Sequence, residues 1–191
     1  PTRRSSDLYF VDVGAYDGVE SSNTFALEQA GWDGLCIEPN KEAFDKLCKN
    51  RSSVTAEVAI HLYNGKTSFT GDHVAEEGEL VLCRTLRQVL EDVHAPIVID
   101  YLSIDVEGSE LNVLRGMDFA KYHVRMITIE HNAYSEGPAR QEQIFEYLTS
   151  VGFTRTHKDV KCLTAPYEGL IYEDWYENPL YLSPGPSMWR G

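Results

Sequence analysis

The chain has 191 residues, 42% of them hydrophobic and 25% charged, which is enough for one globular domain with a buried core. Its 17 Lys and Arg against 30 Asp and Glu leave a formal charge of −13, which repels a phosphate backbone and argues against nucleic acid as a partner. No apolar run reaches the length of a membrane span, and neither a signal peptide nor an internal repeat is visible.

The opening PTRRSSD lacks an initiator Met, so residues 1–7 read as a disordered or cloning-derived edge. Leu8 to Val13 is an apolar run ending in a glycine turn, and it predicts a first strand. Ser21 or Ser22 can cap a helix through about Ala30, stopped by Gly31. Gly34 to Glu38 predicts a second strand. Pro39 and Asn40 open a helix through Lys49, with Ala43, Phe44 and Leu47 on one face. Thr55 to Leu62 predicts a third strand, and Asn64-Gly65 signals a hairpin into Lys66–Phe69. Gly71 to Leu82 is acidic and reads as an irregular loop.

Thr85 to Val93 predicts a helix with Leu86, Val89, Leu90 and Val93 on one side. Ile97 to Ile104 is apolar except for Asp100, as a buried parallel strand requires. A helix from Ser109 to Leu114 and a strand from Arg125 to Glu130 follow. Pro138 to Val151 predicts a helix with Ile144, Phe145, Leu148 and Val151 inward, ended by Gly152. Phe153–Thr156 and Glu168–Tyr172 predict an antiparallel edge pair. The domain is expected to run over residues 8–177, with 178–191 an extended, proline-bearing tail. Strand–helix alternation predicts an α/β fold with a doubly wound, mostly parallel sheet. The four cysteines form no C-x-x-C pair and read as reduced, mostly packed thiols.

In such sheets ligands bind beyond the carboxyl ends of the strands. The first strand ends in Asp12-Val13-Gly14-Ala15-Tyr16-Asp17-Gly18. Gly14 and Gly18 allow sharp turns and close approach of a ligand to bare backbone. Glu38 ends the second strand, where a carboxylate can accept both ribose hydroxyls of an adenosine. A dinucleotide needs G-x-G-x-x-G for its pyrophosphate. Here the middle glycine is missing, Tyr16 is bulky and Asp17 is anionic. A cationic, phosphate-free nucleoside suits Asp12 and Asp17 better. A simple turn, with Glu38 a solvated strand end, is the plainer alternative.

The phrases FVDVGAYDGVESSNT, GWDGLCIEPN, NGKTSF, YLSIDVEGSELNVLRGM and ITIEHN, in this order, resemble the FkbM-type methyltransferase family. The resemblance covers roughly residues 8–155. It implies a Rossmann-like methyltransferase sheet, S-adenosylmethionine as cofactor, and methylation of a hydroxyl on a sugar or small natural product. It also implies roles by position. Asp12, Gly14, Ala15, Tyr16, Asp17 and Gly18 are expected at the methionine end, with Asn23 adding polar contacts. Glu38 is expected on the ribose, beside Pro39 and Asn40. Ala59 and Ile60 are expected along the adenine, and Asp105 and Glu107 facing the methyl group. The family commonly has Lys just before the IDVEG-like stretch, where this chain has Ser103.

Transfer to a hydroxyl needs an aligned nucleophile and a proton acceptor. Asp105, Glu107, Glu130, His131 and Asn132 are candidates. His131 is the best single base, because its unperturbed pKa lies near neutrality; a backbone-bonded strand-end histidine is the plainer reading. Catalytic roles are thus expected at His131, Asp105 and Glu130. The same three residues could hold Mg²⁺, for which oxygen-rich ligands are suited. Glu110 is expected to cap a helix. Trp175 and Tyr176 either line a substrate pocket or pack the tail. A small-molecule or glycan acceptor, no nucleic acid, no membrane and a cytoplasmic setting complete the expectation. Its rivals are a nicotinamide-dependent oxidoreductase and a non-catalytic S-adenosylmethionine-binding module.

Overall fold

The structure, a computed structural model, describes residues 7–70, 73–74, 78–131, 133, 137–162 and 168–181. In chain order the elements are β1 (Tyr9–Val13), α1 (Phe25–Gln29), β2 (Asp33–Ile37), α2 (Lys41–Asn50), β3 (Val54–Ala56), β4 (Ala59–Ile60), β5 (Gly65–Thr70), β6 (His73–Val74), β7 (Glu79–Arg84), α3 (Leu86–Asp92), β8 (Val98–Ile104), α4 (Glu110–Arg115), β9 (His123–Glu130), α5 (Ala139–Ser150), β10 (Thr154–Lys161) and β11 (Ile171–Glu177). Seven strands form one sheet in the order β10-β11-β9-β8-β1-β2-β3. From β3 to β9 all pairings are parallel, whereas β11 runs antiparallel to both β9 and β10. The chain leaves β1 toward β2 and β3, then returns to β8 on the other side. That reversal places a crevice above the carboxyl end of β1.

The central strands are apolar because both sheet faces are covered. Phe10, Val11, Leu35, Ile99 and Leu102 are all buried. Val11 stands between Leu35 and Leu102 across the parallel register. Helix starts follow local capping chemistry. The Asn40 side chain accepts the Ala43 N–H, and that of Thr85 accepts the Gln88 N–H. Ala43 and Leu47 bury the inner face of α2.

The structure corrects several expectations. Within the stretch read as a loop, 73–74 and 79–82 belong to β6 and β7 of a second sheet, ordered β4-β7-β5-β6, while 71–72 and 75–77 lie outside the described residues. Leu80 and Leu82 are exposed on β7, so no burial alternation announced it. The expected third strand divides, β3 joining the large sheet and β4 the small one. Asn64-Gly65 joins β4 to β5, which are not paired neighbours because both lie against β7. Phe145 is exposed rather than inward, with the Arg155 guanidinium 4.2 Å from its ring centre. β11 begins later than predicted, and with β10 outermost it forms the expected antiparallel pair at one edge of the sheet. Tyr176 is core, and Trp175 packs against His157 and donates to Glu173. All four cysteines are free; Cys36 and Cys83 are buried, while Cys48 is exposed. No helix among the described residues is long and apolar enough to cross a membrane. Most of the expected tail lies outside the described residues.

Candidate active site

A cavity of about 400 Å³ opens at the carboxyl ends of β1, β2 and β8. Gly14 forms its floor at φ +89°, and a Cβ there would sit 1.6 Å from the Asp105 carbonyl oxygen. Only glycine fits that turn. The N–H groups of Gly14 and Ala15 both donate to the Ile37 carbonyl at 3.0 Å, tying the β1 loop to the end of β2. Tyr16 follows at φ +48°, and its N–H donates to Glu38 Oε2 at 2.9 Å. The Asn40 N–H donates to Glu38 Oε1 at 2.8 Å. Both carboxylate oxygens are thereby oriented. Ala15, Tyr16, Glu38, Pro39 and Asn40 all line the cavity.

Asp17 and Gly18 are placed elsewhere. The Asp17 carboxylate accepts the Val19 and Glu20 N–H groups at 2.9 and 2.8 Å, closing the turn on itself. Gly18 makes room for α2, since a Cβ there would meet Leu47 and Arg51 at 2.6 Å. Arg51, which the sequence reading passed over, clamps this loop. Its Nε donates to Glu28 at 2.8 Å, one Nη to the Gly18 carbonyl at 3.0 Å, and the other to Thr24 Oγ1 at 3.1 Å. The Thr24 hydroxyl donates in turn to Asp12 at 2.6 Å. Burial pushes the Asp12 carboxyl up to about 6, against the opposing pull of Thr24 and Arg51. Asp12 nonetheless lines the cavity, as do Asn23 and Ser103, whose side chains meet at 3.3 Å.

Ala59 and Ile60 form a buried apolar wall, continued by Phe69 and Val74 of the second sheet. Those last two lay in a stretch read as an extra strand and a loop, with no local signal pointing to the cavity. Asp105 and Glu107 line the opposite side. Glu107 takes φ +50° and Gly108 φ +110°, turning the chain sharply into α4. Tyr172, on β11, donates its hydroxyl to Asp105. Glu130 lies just behind them, outside the cavity lining and 2% exposed. Burial first, then the facing Asp105 carboxylate, holds its carboxyl far above the usual range. Glu110 is fully buried and accepts the Gly108 N–H at 2.8 Å, at the head of α4.

His131 also lies outside the cavity, at 1% exposure. Its Nδ1 accepts the Ala133 N–H at 3.2 Å, which leaves Nε2 to carry the proton, 3.6 Å from Asp174. Beside the ring, Gln141 Nε2 donates to Asp159 and Asp174, and Arg155 donates to Asp174 at 3.1 Å. β11 thus covers the imidazole, which lies outside the cavity. Asn132 lies outside the described residues.

A glycine turn after β1, an oriented carboxylate after β2 and an antiparallel β11 inserted beside the sheet edge define the class: a Rossmann-like methyltransferase domain. Residues 12–155 match the methyltransferase FkbM domain, and the chain belongs to that family. S-adenosylmethionine is the cofactor this membership implies. Over 141 residues the chain is 27% identical to the hexuronic acid methyltransferase AglP of Haloferax volcanii, covering 65% of this chain and 58% of that protein. The chain therefore spans little more than half the length of that relative. Two solved structures share the fold. Precorrin-6y C5,15-methyltransferase of Geobacter metallireducens has a TM-score of 0.52 at 12% identity, over 89% of this chain and 80% of that one. Fibrillarin of Aeropyrum pernix, in complex with natively bound S-adenosyl-L-methionine, has a TM-score of 0.55 at 12% identity, over 90% and 66%.

Proposed function

We propose that this chain transfers a methyl group from S-adenosylmethionine to a hydroxyl of a sugar or small natural product. The observation that carries the proposal is the oriented Glu38 carboxylate lining one cavity together with the Gly14 turn. The residues fit the cofactor. Glu38 would take the ribose hydroxyls, the wall of Ala59 and Ile60 the adenine, and Asp12 and Asn23 the cationic methionine end. When bound, the cofactor supplies a methyl group on a positively charged sulfur, a leaving group that departs neutral. The chain's own work is alignment and proton removal. The Asp105 and Glu107 carboxylates, which line the cavity at the end of β8, support proton removal from the hydroxyl there. We assign that role to them in place of His131, whose ring is covered.

A nicotinamide dinucleotide fits less well. The loop after β1 lacks the middle glycine, and its Asp17 carboxylate, which accepts the Val19 and Glu20 N–H groups, would repel a pyrophosphate. A sugar acceptor is supported by the hexuronic acid relative, and a hydroxyl by the carboxylate bases. Calorimetric titration separates these readings: tight binding of S-adenosylmethionine with no response to NAD is expected. NAD binding without S-adenosylmethionine binding would overturn the proposal. Isotopic methyl transfer to a panel of neutral sugars, uronic acids and phenols then identifies the acceptor. Firm cofactor binding with no acceptor methylated would mark a binding module instead.

A further inference from the structure

We propose that Asp105, Glu107 and Glu130 form a site for one hard divalent cation, Mg²⁺, Mn²⁺ or Ca²⁺, between the cofactor cavity and the end of β9. Each residue offers one carboxylate oxygen, and the three oxygens lie within 4.8 Å of one another. Opposed oxygens span about 4.2 Å across Mg²⁺ and about 4.6–5.2 Å across Ca²⁺, so one ion can bridge all three. An all-oxygen set favours these ions over zinc.

A second observation points to a ligand. Glu130 is 2% exposed, and its Oε2 has no hydrogen-bond partner among the described residues. A buried carboxylate oxygen turned toward other carboxylates needs a proton or a cation between them. The surroundings hold the three groups in place. Asp105 is fixed by the Tyr172 hydroxyl, and Glu107 by the left-handed turn with Gly108. Glu130 ends β9 in register with Glu173 of β11. Asp105 and Glu107 also line the cavity. An ion held by three oxygens keeps open positions on that side for oxygens of an acceptor.

This set differs from the Asp105, Glu130 and His131 expected from sequence. The imidazole is engaged by Ala133 and faces Asp174 and Gln141. The cation's role toward an acceptor rests on the proposed methyltransferase reading. No Lys, Arg or His is found among the described residues lining the cavity, so a uronate would otherwise meet no side-chain cation there.

The test is titration of the purified full chain with Mn²⁺, followed by electron paramagnetic resonance without cofactor, with Mg²⁺ as competitor. One ion per chain, bound more tightly than about 1 mM, is expected. Glu130→Gln and the more exposed Glu107→Gln, each first shown folded by circular dichroism, are expected to weaken binding at least about tenfold. His131→Gln should leave it unchanged. Absent Mn²⁺ binding, or binding indifferent to both glutamate variants, would overturn the site and leave a shared proton between the carboxyls. S-adenosylmethionine calorimetry in metal-free buffer runs alongside. Cofactor binding without Mn²⁺ binding sinks the cation site alone, whereas the reverse sinks the methyltransferase reading.

Discussion

The ends of β1 and β9 carry similar chemistry with opposite outcomes. Each strand carries an acidic side chain at or near its carboxyl end. At β1 the loop turns away, and Asp12 and Glu38 line an open cavity. At β9 the antiparallel β11 crosses over, and His131 joins a sealed network with Gln141, Asp159, Asp174 and Arg155. Residue type is therefore a poor guide to role at a strand end. What decides is whether the neighbouring strand leaves space or fills it.

The largest effect should come from the sealed end. Asp174→Ala leaves His131 and Arg155 without their buried carboxylate, and such a loss costs about 3–5 kcal/mol. Urea unfolding should show it, while the folded fraction keeps its S-adenosylmethionine affinity. An equal loss of affinity would mean that the two ends are coupled and the contrast is false. At the open end, Gly14→Ala drives a methyl into the Asp105 carbonyl in a left-handed backbone. A loss of about 3 kcal/mol is expected, now with cofactor binding abolished. Unimpaired binding in that variant would remove the cavity floor from the argument.

Glu38→Ala sharpens the contrast further, because it deletes only the oriented carboxylate. Hydrogen bonds to a charged group contribute about 1.5–3 kcal/mol, so affinity should fall about 10- to 100-fold by calorimetry. Unchanged affinity would show that Glu38 serves the Tyr16 and Asn40 amides alone.

Legibility followed the same divide. The parallel strands, Gly14 and Glu38 were readable because their signals are local: apolar runs, a turn that only glycine allows, and an acid at a strand end. The burial of His131 was not, since its partner Asp174 comes from a later strand whose insertion no local pattern announces. Arg51 was missed for a similar reason, because its contacts with Gly18, Thr24 and Glu28 bring three separate positions together. The second sheet escaped because β7 exposes Leu80 and Leu82, and only its pairing with β5 makes it a strand.

The smallest effect tests whether the open end behaves electrostatically as its position implies. Asp12 titrates at about 6 in the folded chain, above its usual 3.8, chiefly because it is buried. Protonation thus favours the folded state: this group's contribution to stability is full below about 3.8 and is lost as pH rises through about 6. Cofactor binding should run the other way. A cationic methionine end prefers the ionised carboxylate, so S-adenosylmethionine affinity should fall as pH drops below about 6, by less than about tenfold per unit. Asp12→Asn should flatten that dependence, measured by calorimetry from pH 5 to 8 (chosen to span about one unit below and two above the titration). A profile equally steep in the variant would assign the proton to another group. Asp12 would then be a member of the Thr24–Arg51 relay that holds the loop, with no direct part in attracting the ligand.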